Sequence, residues 1–280
     1  MSEIKVGTSG FQFKDWKGTI YPKGLLDKDM LPYYEQALGF NTLEVNYTYY
    51  RLPIPSTMER MVEKTSDTFD FVVRSNKDMT HDIWEDSKRK TLKDTSAVFK
   101  QFREGIQPTL DANKLGCVLI QFPSFFWPNK DNFDYITQSR EQLEGVPLVI
   151  EFRNKTWVKE STFSFLREND LGFCVVDEPQ LPRLMPFFPT ATSTIGYVRL
   201  HGRNRNWFNA SREERYDYLY SEQELKEFTD PIQNISEDTV KTYVFFNNCH
   251  GGSAAKNGLM MERIMGIINE FSDAQNRVFT

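Results

Sequence analysis

The chain predicts an α/β protein, a (β/α)8 TIM barrel spanning residues 1–280 as one domain. Three observations carry this. Short β-branched or aromatic runs recur eight times, stretches with helical spacing separate them, and seven of the eight runs finish on polar side chains. Strand alternating with helix along the whole length is the pattern of parallel β/α architecture. A chain of 280 residues has room for eight such units, since barrels typically need about 250.

The strands are read in order as Ile4–Ser9, Asn41–Tyr47, Phe69–Ser75, Gly116–Phe122, Pro147–Arg153, Gly172–Asp177, Ile195–His201 and Tyr243–Asn248. Helical spacing with charged faces marks Asp29–Leu38, Ser56–Ser66, Thr91–Asn113, Asn132–Leu143, Lys159–Asn169, Glu222–Gln233 and Lys256–Phe271. The stretch after the first strand, "GTSGFQF", has neither the glycine spacing nor the immediate helix of a dinucleotide-binding turn. A closed barrel therefore fits better than an open doubly wound sheet. No linker, internal repeat or low-complexity run divides the chain.

Composition narrows the class. Apolar and charged fractions of 39% and 26% are those of a folded globular protein. A net charge of −5 argues against a polyanion binder of the strongly basic kind. The aromatics, 23 Phe and 12 Tyr, exceed what a core of this size requires and suggest walls around a cleft. No apolar run approaches the length that spans a membrane. Cys117, Cys174 and Cys249 are odd in number and widely spaced, which points to a reducing, cytoplasmic setting and away from disulfides or structural zinc.

The strand ends hold the candidate site. In "PLVIEFR", alternation puts Glu151 and Arg153 on one side and Phe152 on the other. A buried strand finishing on two charges makes sense when they are paired or used, because an isolated buried charge costs several kcal/mol. The same logic turns Glu44 and Asn46 inward on strand two, with Leu43 and Val45 outward. Strands three and four offer Arg74 and Gln121, strand six Asp177, strand seven Arg199 and His201, and strand eight Asn247 and Asn248. Barrel enzymes keep their sites at this C-terminal end. Arg74, Arg153 and Arg199 would hold an anion, with Arg203 and Tyr218 of the following loop beside them. Glu151 or Asp177 would act as general base and His201 or Glu44 as its acid partner.

Other features are weaker. Gly251, Gly252 and Ser253 open a loop after strand eight that could cradle phosphate. Cations interleave with aromatics around Arg203, Arg205, Trp207, Phe208, Tyr216 and Tyr218, and rings cluster at Tyr49, Tyr50, Phe125, Phe126 and Trp127. Cys249 beside His250 lacks an orienting third group for a nucleophile. Only three histidines occur, without H-x-H or H-E-x-x-H, and arginines share the same floor. No intrinsic metal or other cofactor is expected.

At these residues the sequence resembles the YecE-like barrels, catalogued as a domain of unknown function. The matching blocks run in order: "VGTSGF", then Trp16, Gly18, Tyr21 and Pro22, "LEVNYTYYRLP", Arg74 followed by Thr80-His81, "LIQFP", "IEFRNKTW", "VVDEP", "YVRLHGR", "RYDYLYS" and "FNN" with "AAKN". Phe11 and Arg74 stand where Trp and Lys are usual in the family. The resemblance implies the TIM barrel and no established reaction. Its outline is similar to sugar isomerases and endonuclease IV, which is analogy of fold. The expectation is an enzyme acting on a small anionic, phosphorylated or polyhydroxylated substrate, with hydrolase, lyase and isomerase chemistry unranked. The alternatives are a DNA-binding or endonuclease IV-like phosphodiesterase, which net negative charge disfavours, and a non-catalytic binding protein. No membrane partner is expected, and oligomeric state has no signature in the residues.

Overall fold

The computed structural model describes residues 2–204 and 216–267. Eight parallel strands close into a barrel in sequence order. They are β1 (Glu3–Ser9), β2 (Thr42–Val45), β3 (Asp70–Arg74), β4 (Leu115–Gln121), β5 (Leu148–Glu151), β6 (Leu171–Asp177), β7 (Ile195–Leu200) and β8 (Lys241–Phe246). Each expected strand is present, shorter by a residue or more where its polar end turns into the rim. Closure is made by β1 against β8, from Glu3 beside Lys241 to Thr8 beside Phe246.

Helices wrap the outside: α1 (Met30–Gln36), α2 (Pro55–Glu63), α3 (Ser96–Asp111), α4 (Lys130–Gln142) and α5 (Glu160–Glu168), then α6 (Glu222–Lys226), α7 (Thr229–Glu237) and α8 (Ser253–Met265). Local chemistry sets several starts. Pro55 occupies the first turn of α2, where its missing N–H costs nothing. Asn129 caps α4 through the Asn132 N–H, and Ser221 with Glu224 forms a capping box on α6. The single helix expected over Glu222–Gln233 is two, broken at Glu227 and Phe228. The β6–β7 connection, residues 178–194, carries no helix.

The interior is filled in layers. At the N-terminal end Asp70 takes Lys5 at 3.0 Å, Lys241 at 2.6 Å and the Tyr243 hydroxyl at 2.8 Å. Above it the rings of Tyr243 and Phe245 stack 5.9 Å apart, and Tyr197 packs 5.5 Å from Phe245. Gly116 makes room for this layer, because a Cβ there would lie 2.3 Å from the Tyr243 hydroxyl. The third layer, at the C-terminal mouth, is polar. No described helix is long and apolar enough to cross a membrane.

Candidate functional site

Arg199 of β7 is the centre of the polar layer and is fully enclosed. Its guanidinium spans the barrel, meeting Glu44 of β2 at 2.7 Å and Glu151 of β5 at 2.5 Å. The other Glu44 oxygen accepts from the Tyr197 hydroxyl at 2.6 Å. Glu151 also contacts Arg153 Nε, and Arg153 reaches on to Glu178 at 3.0 Å. Glu178 Oε1 accepts the Met185 N–H at 2.7 Å, tying the β6–β7 connection to the floor. Arg199 and Arg153 thus alternate with Glu44, Glu151 and Glu178.

This pattern sets the protonation states. Burial alone would raise the Glu151 carboxyl, but Arg153 and Arg199 outweigh it and hold the group well below the usual carboxylate range. Burial lifts Glu178 above its ordinary value, with Arg153 acting against it. His201 is enclosed above Glu151, its Nε2 3.5 Å from Oε1. With Asn247 Nδ2 donating to Nδ1 at 2.9 Å, the ring proton sits on Nε2. Burial and the nearby Arg153 charge lower His201 to about 3, so it is neutral at pH 7.

A cavity of about 900 Å³ opens directly over this layer. Arg74, Gln121, Arg153 and Asn247 line it, as do Glu178 and His81. The Arg74 guanidinium donates to Gln121 at 2.7 Å and lies 4.1 Å from the Tyr49 ring centroid. Among the described residues no carboxylate is within ion-pairing distance of Arg74, and its buried Nε has no hydrogen-bond partner. Burial and the Arg199 charge lower its affinity for its proton. His81, held by Thr80 at 2.9 Å, is lowered to about 4 by burial and by Arg74. Tyr50, Phe125 and Trp127 form aromatic walls.

The expected site residues therefore fall into three groups. Arg74, Gln121, Arg153 and Asn247 face the cavity. Glu44, Glu151 and Arg199 lie beneath it as a charged platform with the neutral His201, while Asn46 is half-buried on the rim, also off the cavity wall. Asp177, Arg203, Tyr218 and Asn248 are elsewhere, and their expected roles need correction. On β6 the side chain at Cys174 contacts Glu151 inside the barrel at 3.8 Å, so alternation turns Glu178 inward and Asp177 away. Asp177 is gripped at 3.0–3.1 Å by Arg203 and at 2.7 Å by the Tyr220 hydroxyl. Asn248 donates to the Tyr218 carbonyl at 2.8 Å and to Asn257 of α8 at 2.9 Å. Tyr218 itself bonds Glu224. These four residues fasten the β7–β8 connection.

Other expectations also sort out. The Gly251 N–H, offered for phosphate, is taken by Asp15 at 2.7 Å, and Gly252 abuts Ile20. Phe126 is core, stacked 3.9 Å from Phe122, with its carbonyl accepting from Trp157 Nε1 at 2.6 Å. Arg205, Trp207 and Phe208 lie outside the described residues. Among the described residues no group of three or more His, Cys, Asp or Glu could hold a metal ion. Glu178 and His81 were missed as site residues. The inward parity of Cys174 and Val176 could have shown the first; the second followed β3 in the motif "TH".

A family model described as "Protein of unknown function DUF72" matches residues 5–277. The UPF0759 protein YunF of Bacillus subtilis (strain 168) is 32% identical over 280 residues, covering 94% of this chain and 95% of that protein. A DUF72 family protein of known structure from Thermotoga maritima, TM1631, is 41% identical with a TM-score of 0.87, covering 94% and 99% of the two chains. Another from Enterococcus faecalis V583, EF0366, is 26% identical with a TM-score of 0.82, covering 95% and 97%. The resemblance carried by the strand-end motifs thus extends along nearly the entire sequence, and the chain belongs to the DUF72 family.

Proposed function

We propose that the mouth of this barrel binds a small anionic compound and carries out proton-transfer chemistry on it. One observation carries the reading: Arg74 faces a roomy cavity without a carboxylate partner among the described residues, while Arg153 and Arg199 each have two. A buried guanidinium in that state is stabilised by an incoming carboxylate or phosphate, with bidentate geometry available. Arg153 lines the same cavity, its charge shared between Glu151 and Glu178. Glu44, Glu151 and Arg199 are a fixed electrostatic platform rather than the reacting groups, because their charges are already spent on each other. Glu151 is a poor base, since two guanidiniums hold its carboxyl ionised and weakly basic.

Proton transfer falls to Glu178, which lines the cavity and whose proton affinity burial increases, assisted by neutral His81. Hydrolysis, elimination and isomerisation of a phosphorylated or polyhydroxylated compound all suit this pair. The test is a thermal-shift panel of phosphorylated and carboxylated metabolites on wild-type protein and Arg74→Met. At least one anion should stabilise the wild type and lose most of that effect in the variant. Absence of any stabilised complex, or equal shifts in both proteins, would refute the reading.

A further inference from the structure

Beyond the wall of the main cavity lies a second pocket, of about 210 Å³, between the 83–93 hairpin and the first turn of α4. Phe125 and Trp127 line both spaces, so the two adjoin at an aromatic ridge. The hairpin is well built. Trp84 pairs with Leu92, the Glu85 N–H reaches the Thr91 carbonyl at 2.9 Å, and the Asp86 carboxylate accepts from the N–H groups of Lys88, Lys90 and Thr91 at 2.7–3.4 Å. Arg89 at its tip has φ +55° and lays its guanidinium 3.4 Å from the Phe125 ring centroid.

The charges of this tip are unusual for the molecule. Elsewhere many surface cations are neutralised, as in Lys17–Asp27, Lys77–Asp82, Lys130–Asp134 and Arg167–Glu160. Lys88, Arg89 and Lys90 all line the pocket, and among the described residues none is in an ion pair. Asp131 is the one carboxylate on the pocket wall. Three consecutive cations are thus held open beside the ligand mouth of a chain whose net charge is −5. Trp127, 48% exposed, lines both the pocket of these cations and the cavity of Arg74.

We infer that the ligand carries two anionic groups with a flat ring between them, as in a nucleotide whose base bears a carboxylate. One group sits on Arg74, the ring lies against Trp127, and the second group sits on Lys88 and Lys90, with Arg89 laid on Phe125 beside them. Aromatic stacking favours a planar ring at the ridge, and the outer cations supply charge-assisted hydrogen bonds to the distal group. This inference rests on the reading of the main cavity as an anion site and extends it to a second one.

Calorimetric titration with nicotinamide mononucleotide and nicotinic acid mononucleotide, which differ by a neutral amide against a carboxylate on the ring, separates the two. The acid should bind wild-type protein about tenfold more tightly than the amide, the increment expected of one added charge-assisted contact. Lys88→Ala/Lys90→Ala, both at exposed positions, should abolish that increment and leave the affinity for the amide unchanged. Arg74→Met should weaken both probes. Binding of the amide with no gain for the acid, or a gain that survives the double substitution, overturns the second site and leaves the first standing. If neither probe binds the wild type, this inference falls, and the metabolite panel then decides the main cavity separately.

Discussion

Replacing Glu151 by Gln changes no volume and removes one charge, which isolates the worth of the platform. Both carboxylate oxygens now face cations, Oε2 accepting from Arg199 at 2.5 Å and Oε1 in ion contact with Arg153. A glutamine must therefore aim its NH2 at one guanidinium, setting donor against donor in a fully buried site. Breaking one partner of a buried ion pair costs about 3–5 kcal/mol. Arg199 keeps Glu44 and Arg153 keeps Glu178, so the lower end, about 3 kcal/mol, is expected. Urea unfolding at pH 7 measures it. The double variant Glu151→Gln/Arg199→Met should be less destabilised than the two singles summed, by about 1–3 kcal/mol. The sign with pH is also fixed. Glu151 ionises in the fold well below its ordinary 4.5, so its contribution is complete above that value and fades as pH falls toward the folded one. The gap between wild type and variant should hold from pH 7 to 5 and narrow below 4. A loss under about 1 kcal/mol at pH 7 would refute the premise that this pair is a desolvated, tightly coupled one.

His201 governs a different interval. Its ring stays neutral in the fold down to about 3, against 6.5 when unfolded, so stability is lost as pH falls below 6.5 because the unfolded chain binds the proton first. His201→Gln should flatten the wild-type stability curve between pH 6.5 and 4.5, by up to about 3 kcal/mol at the lower end; parallel curves would exclude it. Gly116→Ala brings a methyl against the Tyr243 hydroxyl and should destabilise by about 2–3 kcal/mol in urea unfolding. The companion Gly116→Ala/Tyr243→Phe should recover part of that, and no recovery would locate the crowding elsewhere.

The barrel was legible because each wall strand is a local pattern: "CVLIQF" and "LVIEF" read as buried strands without knowledge of their neighbours. The Glu151–Arg153 side was legible for the same reason, as alternation is a property of consecutive residues. What failed was parity at strand ends. Asp177 and Asn248 finish their runs, yet the inward positions are Glu178 and Asn247, one residue to either side. Partners distant in the chain were also hidden: nothing near Glu44 announces Arg199, and nothing near Gly251 announces Asp15. The β6–β7 connection, which carries no helix, is held to the floor by Glu178 and Arg153, a contact between segments that neither segment announces alone.

The cross-barrel position of Arg199 has a consequence for how the chain is made. Both of its carboxylate partners are synthesised before it, Glu44 on the second strand and Glu151 on the fifth. A nascent chain that has emerged only as far as β6 carries two acids destined for burial and lacks the cation that bridges them, so the upper end of the cylinder has no favourable closed state. Assembly of the mouth therefore waits for the seventh strand, and fragments ending before residue 195 should remain open and prone to capture by chaperones.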